Sequence, residues 1–310
     1  MDKSMKSRTR FAPSTTGPAH PGTMLSALLC WMDARSRGAE IWLRLENLDP
    51  DRCRPDFVSQ MVDDLAWLGL SWDRVIIQSD QRTDHENAMD QLAAKGLLYP
   101  CACSRKQLRD NGRAAPDGGY AYENTCRNRP LPAGGWRDCG ETIRVKLPDE
   151  PVSFMDESGL DLSQSPSREL GDPVVRRRDG AFAYHLACVV DDQQGGMTRI
   201  IRGRDLAVSA ATQMQIQRML GYPTPEYRHH FLLLESHGGK MAKFHGAVGA
   251  AELRRVYRPE ELCGLLMAWA DVKESTEPCR PDELVGVFDW SRVRKSDMML
   301  AWDGVSLTTG

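Results

Sequence analysis

Apolar positions along the first hundred residues follow two alternating rhythms. Residues 10–12 read as a short strand stopped by Pro13, and a Ser/Thr/Gly/Pro turn covers 14–22. Met24, Leu25, Leu28, Leu29 and Met32 then recur at helical spacing, predicting a helix over 23–37 with Gly38 as its stop. A second strand is expected at 41–45. A second helix is expected at 55–68, with Phe57, Met61, Leu65 and Leu68 on one face. A third strand at 75–78 and a third helix at 81–95, ending at Gly96, repeat the unit. This alternation predicts an α/β fold, with a parallel sheet covered by helices.

The rhythm breaks at 99–132, a polar stretch rich in Gly, Pro, Arg and Cys that reads as an insertion. Residues 142–156 read as strand, turn, strand. The alternation resumes with an apolar segment at 183–190, a strand at 198–202, a helix at 206–220 stopped by Gly221, and a last strand at 231–234. A Gly/Lys/His loop spans 236–246. Beyond it, only the helical pattern of 259–270 is readable.

Composition narrows the class of protein. The chain has 310 residues, 41% of them hydrophobic and 27% charged, as in an ordinary globular enzyme. A formal net charge of -3 excludes a global basic field, so contact with nucleic acid must rely on local patches. No apolar run is long enough to span a bilayer, and residues 1–10 lack the apolar stretch of a signal peptide. With nine cysteines and no secretory signal, the expected setting is a reducing cytoplasm, with no membrane partner.

Two segments carry candidate chemistry. The first, Arg10-Phe11-Ala12-Pro13-Ser14-Thr15-Thr16-Gly17-Pro18-Ala19-His20-Pro21-Gly22-Thr23, runs from a strand end through a tight turn into a helix start. Unpaired N–H groups and the positive dipole end of a helix suit a phosphate. Gly17 and Gly22 allow close backbone approach, and His20 can donate to a phosphate oxygen. The second, Gly238-Gly239-Lys240-Met241-Ala242-Lys243, puts two lysines on a glycine-flexed loop that can close over a triphosphate and neutralise departing pyrophosphate. Either segment alone is commonplace. Their order on an α/β chain is specific.

Together they resemble the signatures of the class I aminoacyl-tRNA synthetases, glutamyl branch, over about residues 8–246. Arg44-Leu45-Glu46-Asn47-Leu48-Asp49-Pro50 is similar to that branch's strand-end segment. Asp179-Gly180, Ala183-Tyr184, Asp191-Asp192 and Arg202-Gly203 resemble its middle block. The resemblance implies a Rossmann-type catalytic domain with ATP at the carboxyl ends of the strands. ATP, with Mg2+, would be held by His20, Gly22, Lys240 and Lys243, which would also carry catalysis. Glutamate presents two carboxylates and one ammonium. The matching positions offer Arg10 and Arg202 for the first and Glu46 for the second, with Phe11, Ala12, Pro13, Ser14 and Tyr184 completing the pocket.

Within the insertion, Cys101-x-Cys103 and Tyr122-x3-Cys126 resemble the zinc site of the short glutamyl-queuosine tRNA(Asp) synthetases, truncated paralogues of the glutamyl enzyme. The resemblance implies Zn2+ held by Cys101, Cys103, Cys126 and Tyr122, with Tyr120 competing for the tyrosine's place. A polar insertion too small for its own core would gain folding energy from the metal. Three positions depart from the branch's pattern: Thr15 replaces a proline, Asn47 an aspartate and Ala242 a serine.

The expected organisation is a catalytic domain at 8–98 and 133–246, a zinc-binding insertion at 99–132 and a short helical part at 247–310. The expected activity is ATP-dependent formation of glutamyl-adenylate and transfer to queuosine in the anticodon loop of tRNA(Asp), by a monomer. Arg105, Arg127 and Arg129 are candidates for RNA phosphates. The rivals are a truncated glutamyl-tRNA synthetase charging a tRNA 3′ end, disfavoured because the stretch after Lys243 is too short for an anticodon-binding half, and a non-catalytic RNA-binding paralogue.

Overall fold

The computed structural model describes residues 7–110, 112–235 and 248–309. The lysine loop, with Lys240, Ala242 and Lys243, lies outside the described residues.

The chain runs β1 (Arg8–Phe11), α1 (Pro21–Ser36), β2 (Glu40–Leu45), α2 (Pro55–Trp67), β3 (Arg74–Ile77), α3 (Arg82–Ala94), β4 (Leu98–Cys101), α4 (Arg105–Asp110) and β5 (Thr142–Val145). It continues through α5 (Pro166–Glu169), β6 (Val174–Arg176), α6 (Tyr184–Gln194), β7 (Arg199–Gly203), α7 (Ala210–Leu220), β8 (Glu226–His230) and β9 (Leu233–Glu235). The last elements are α8 (Ala250–Val256), α9 (Pro259–Trp269), α10 (Pro281–Leu284), β10 (Met298–Trp302) and β11 (Leu307–Thr309).

Two compact units share these elements. One comprises residues 1–77, 198–204 and 227–310; the other, 78–197 and 205–226. In the first, β1, β2 and β3 form a parallel sheet, with Arg10 opposite Trp42 and Leu43 opposite Val75. β7 is reached from the other side of β1, where the Thr198 N–H donates to the Arg8 carbonyl at 2.9 Å, and β7 pairs with β8. The expected parallel α/β sheet is therefore present. Helix α1 is apolar around most of its circumference, and Met24, Leu25, Leu28, Leu29 and Met32 are buried in the unit's core.

A buried ion pair crosses this core. Arg199 Nε lies 2.9 Å from Asp33 Oδ2, and Trp290 Nε1 donates to Asp33 Oδ1 at 2.6 Å, tying α1 to β7 and to the C-terminal residues. In the second unit, β4, β5 and β6 form an antiparallel sheet. There Asp191 accepts Gln78 Nε2 at 2.7 Å and lies 2.6 Å from His85 Nε2, all three buried, so its work in the middle block is structural.

Several boundaries differ from expectation. Helix α1 starts at Pro21, because proline presets the first helical φ. The first turn of the expected 206–220 helix is a 3-10 turn at Arg204–Ser209. Gly221 ends α7 in the left-handed region at φ 73°. After β5, the expected second strand of 142–156 is reduced to isolated bridges, Val152 with Gln164 and Met155 with Asp161. Of the expected strand at 231–234, only Leu233 and Leu234 are in a strand, β9, and residues 231–232 connect it to β8, which the pattern did not predict. No helix among the described residues is long and apolar enough to cross a membrane.

Candidate functional site

The signature segment is built where β1 ends. Beyond Phe11 the backbone runs alongside the end of β2: Glu46 N–H donates to the Pro13 carbonyl at 3.0 Å, and Thr15 N–H returns a bond to the Glu46 carbonyl at 2.9 Å. Ser14 and Glu46 are thereby bridged in parallel, so two of the expected glutamate-pocket residues are held side by side by main chain. The Thr15 hydroxyl adds a third bond to the seam, its second to the Glu46 carbonyl, at 3.1 Å, and Thr15 is fully buried. Proline, the usual residue there in the resembled branch, has neither donor, so this departure strengthens the seam.

Glu46 also pairs with Arg44, Nη2 to Oε1 at 3.2 Å. Arg44 is among the largest fully buried side chains, so this is a pair sunk beneath the site and not a surface contact. One carboxylate has several acceptor positions, which lets Glu46 serve a ligand ammonium while it holds Arg44.

At the helix start, His20 is the N-cap of α1: its Nδ1 accepts the Thr23 N–H at 3.3 Å. That bond occupies the Nδ1 lone pair and leaves the neutral ring's proton on Nε2, the tautomer that donates to a phosphate oxygen. Gly22 sits in the first turn beside the ring. A Cβ there would lie 3.1 Å from His20 Cε1, so glycine keeps the histidine from being displaced. The preceding residues are fastened by α8, whose Ala250 N–H donates to the Ala19 carbonyl at 2.8 Å.

Arg10 and Arg202 are buried in the same unit, on β1 and near the end of β7. Arg202 Nε lies 3.0 Å from His229 Nε2, and its guanidinium carbon lies 5.2 Å from the Tyr227 ring, which stacks parallel to His229. Reading the residues along the chain missed His229. The signal was the two-residue spacing of Tyr227 and His229, which puts both on one face of β8. Tyr184 opens α6 in the other unit.

Three cysteines of that unit converge. The sulfurs of Cys101, Cys103 and Cys126 all lie within 4.8 Å of one another, and Cys103 and Cys126 are 3.6 Å apart. A tetrahedral ion with metal–sulfur bonds of about 2.3 Å would have sulfur–sulfur edges of about 3.8 Å, so the donor set fits a thiophilic metal. Tyr122 is the tyrosine at this cluster. Its hydroxyl is 3.4 Å from Cys101 Sγ and accepts the Cys126 N–H at 2.9 Å, whereas Tyr120 is exposed. Burial and the Cys101 thiol push the Tyr122 phenol up, which keeps it neutral. Burial also raises Cys126, but hydrogen bonds from the Ala102 backbone, Tyr122, Cys103 and Arg129 outweigh it and bring the thiol to about 7. Cys103 is pushed up to about 11, first by burial and then by its bond to Cys126.

A parallel sheet, a histidine-capped helix following its first strand and an acid fixed at the end of its second match the catalytic domain of a class I synthetase. The family model of class I tRNA synthetases (E and Q), catalytic domain, matches residues 6–301, and the chain belongs to this family. It is similar to the glutamyl-Q tRNA(Asp) synthetase of Symbiobacterium thermophilum, 38% identical over 97% of this chain and 98% of that one. It is also similar to the proteins of the same name from Thiobacillus denitrificans, 41% identical over 76% of each chain, and Neisseria meningitidis serogroup C, 38% identical over 91% of this chain and 93% of that one. A glutamate tRNA ligase of Elizabethkingia meningosepticum, solved with its amino acid, shares the fold with a TM-score of 0.79 and 24% identity, over 97% of this chain and 68% of that one.

Proposed function

We propose that this chain activates glutamate with ATP and transfers it to queuosine in the anticodon loop of tRNA(Asp). The observation that carries the reading is the main-chain seam between Ser14 and Glu46, beside the capped helix start at His20, in a chain similar along its length to glutamyl-Q tRNA(Asp) synthetases. Arg10 and Arg202 take the two carboxylates of glutamate and Glu46 its ammonium, with Phe11, Ala12, Pro13, Ser14 and Tyr184 around them. His20, Gly22, Lys240 and Lys243 receive the triphosphate, which enters with Mg2+.

An oxygen of the glutamate α-carboxylate attacks the α-phosphorus of ATP. The bond to the β-phosphate oxygen breaks, and pyrophosphate leaves with its charge met by the lysines. A hydroxyl of the queuosine cyclopentene diol then attacks the glutamyl carbonyl, AMP departs with the bonding pair, and the hydroxyl proton passes to solvent. No side-chain nucleophile is needed; positioning and charge stabilisation carry both steps. In this reading residues 8–98 and 133–246 serve catalysis, 99–132 bind one zinc ion through Cys101, Cys103 and Cys126 beside Tyr122, and 247–310 support them. Cys101, Cys103 and Cys126 would hold the ion as thiolates, and a bound zinc would neutralise their charge and cross-link the segment.

The test is labelled glutamate and ATP with tRNA(Asp) carrying or lacking queuosine. Label that depends on queuosine supports the reading. Equal labelling of tRNA(Glu) lacking queuosine sinks it and points to charging of a 3′ end.

A further inference from the structure

Helix α4 and the hairpin that follows it form a basic, aromatic patch that the adenylation chemistry does not use. Arg105, Lys106, Leu108, Arg109 and Tyr120 line an open surface depression of about 390 Å³. Other arginines of this unit are neutralised. Arg113 pairs with Glu123, Arg127 with Asp172, Arg129 with Glu141, Arg137 with Asp90 and Arg168 with Asp149. Among the described residues no carboxylate pairs with Arg105 or Lys106, and Arg109 has only its chain neighbour Asp110 at 3.5 Å. All three cations are exposed. Of the three arginines that the sequence offered for RNA phosphates, Arg127 and Arg129 are thus occupied, and Arg105 is available.

Tyr120 supplies the second half. It is 48% exposed although large and aromatic, and one flank of its ring is closed by residue 112, where any Cβ would strike it. A ring held on one side and open on the other is a stacking platform. Cations that track a backbone, interleaved with such a ring, are the combination that binds single-stranded nucleic acid. Both halves are also tied to the cysteine cluster. The Ser104–Gln107 capping box, Gln107 N–H to Ser104 Oγ at 3.2 Å and Ser104 N–H to Gln107 Oε1 at 2.8 Å, starts α4 one residue after Cys103. Tyr120 lies two residues before Tyr122, at the end of a hairpin closed by its bridge to Ala114.

We infer that this patch is a docking surface for unpaired RNA, with Arg105, Lys106 and Arg109 on phosphates and Tyr120 stacked on a base. The occupant proposed is an unpaired nucleotide of the tRNA(Asp) anticodon loop, so the inference rests on the RNA-acceptor reading above. It gives the cysteine cluster a second purpose, as the frame that holds the helix and the ring at a fixed separation.

The experiment measures binding of fluorescein-labelled, queuosine-containing tRNA(Asp) by anisotropy across a salt series. The variants are Arg105→Gln/Lys106→Gln/Arg109→Gln, Tyr120→Ala, Tyr120→Phe and, as a paired control away from the cysteines, Arg168→Gln. Glutamate-dependent ATP–pyrophosphate exchange is run on each as a check of fold. The triple variant should weaken binding at least about tenfold at low salt and flatten the plot of log K against log salt by roughly two, as expected for three lost phosphate contacts at about 0.7–0.9 each. Tyr120→Ala should weaken binding about fivefold or more, and Tyr120→Phe should restore it, because the stacking face and not the hydroxyl is used. Arg168→Gln should leave the slope unchanged. An unchanged slope in the triple variant, or an equal loss in Arg168→Gln, overturns the assignment. Failure of Tyr120→Phe to rescue overturns the stacking. If wild-type protein binds this tRNA through the patch but glutamylates none, the acceptor reading falls and the patch stands.

Discussion

The signature segment and the cysteine segment are both short, Gly- and Pro-rich loops, yet they are held by different means. The first is laid between β1 and β2 and stitched by main-chain bonds, above a core that includes most of α1. The second packs around a small cluster, Tyr99, Cys101, Tyr122 and Cys126 with Cys103 and Leu108 against it. A loop supported by a sheet inherits its geometry from the sheet. A loop with so little apolar surface needs a cross-link, and three converging thiols are suited to a metal one. The two segments should therefore fail separately and for different reasons.

Cys103→Ser should make the contrast widest. The metal content of purified protein should fall from one equivalent to none and limited proteolysis should cut within 99–132, while glutamate-dependent exchange persists. Loss of exchange together with the metal would mean that the segments are not independent. Asp33→Ala removes the carboxylate that pairs with Arg199 and accepts Trp290 in the core. It should lower stability by about 3–5 kcal/mol in urea unfolding without releasing metal. Lys243→Ala should reduce kcat for exchange by the equivalent of roughly 2.7–4 kcal/mol, with glutamate KM little changed, because the contact proposed for it is with the departing pyrophosphate. A raised KM for ATP at unchanged kcat would contradict that role. Arg202→Lys keeps the charge but loses the planar fork and the Nε–H to His229. Glutamate affinity by calorimetry should fall by about 1.5–3 kcal/mol. The smallest effect is expected of Thr15→Pro, which removes the two bonds to the Glu46 carbonyl and should shift the unfolding midpoint by the equivalent of about 0.5–1.5 kcal/mol.

The first three strand–helix units were legible because the residues that bury α1 and α2 recur at helical spacing, and β1 to β3 fall between them. The pairing of Arg44 with Glu46 was not legible, since neighbouring charges two apart on a strand end usually face water. β8 was missed because its buried residues are Tyr227, His229 and His230, which interrupt any apolar alternation. With it went the partner of Arg202. β10 and β11 were unread because β10 is ordered by its pairing with β9, Met298 opposite Leu233, across a separation that no local pattern encodes. The cysteine cluster was legible as spacing, but choosing Tyr122 over Tyr120 required the backbone that turns one inward and leaves the other at the surface.

That pairing of β9 with β10 has a consequence for how the protein is made. The unit bearing the signature segment is assembled from three stretches of chain, 1–77, 198–204 and 227–310, whereas most of the other unit is the single stretch 78–197. On a ribosome the 78–197 stretch can condense while β1 still awaits the chain at Thr198 and, later, β9 awaits β10, since non-local pairings form only after their far partners have been synthesised. The strand leading into the lysine loop is braced by residues translated some sixty codons later. The nascent chain should therefore bring Cys101, Cys103 and Cys126 together before it can adenylate anything, and premature termination short of residue 298 should leave a product that binds the proposed zinc but is catalytically silent.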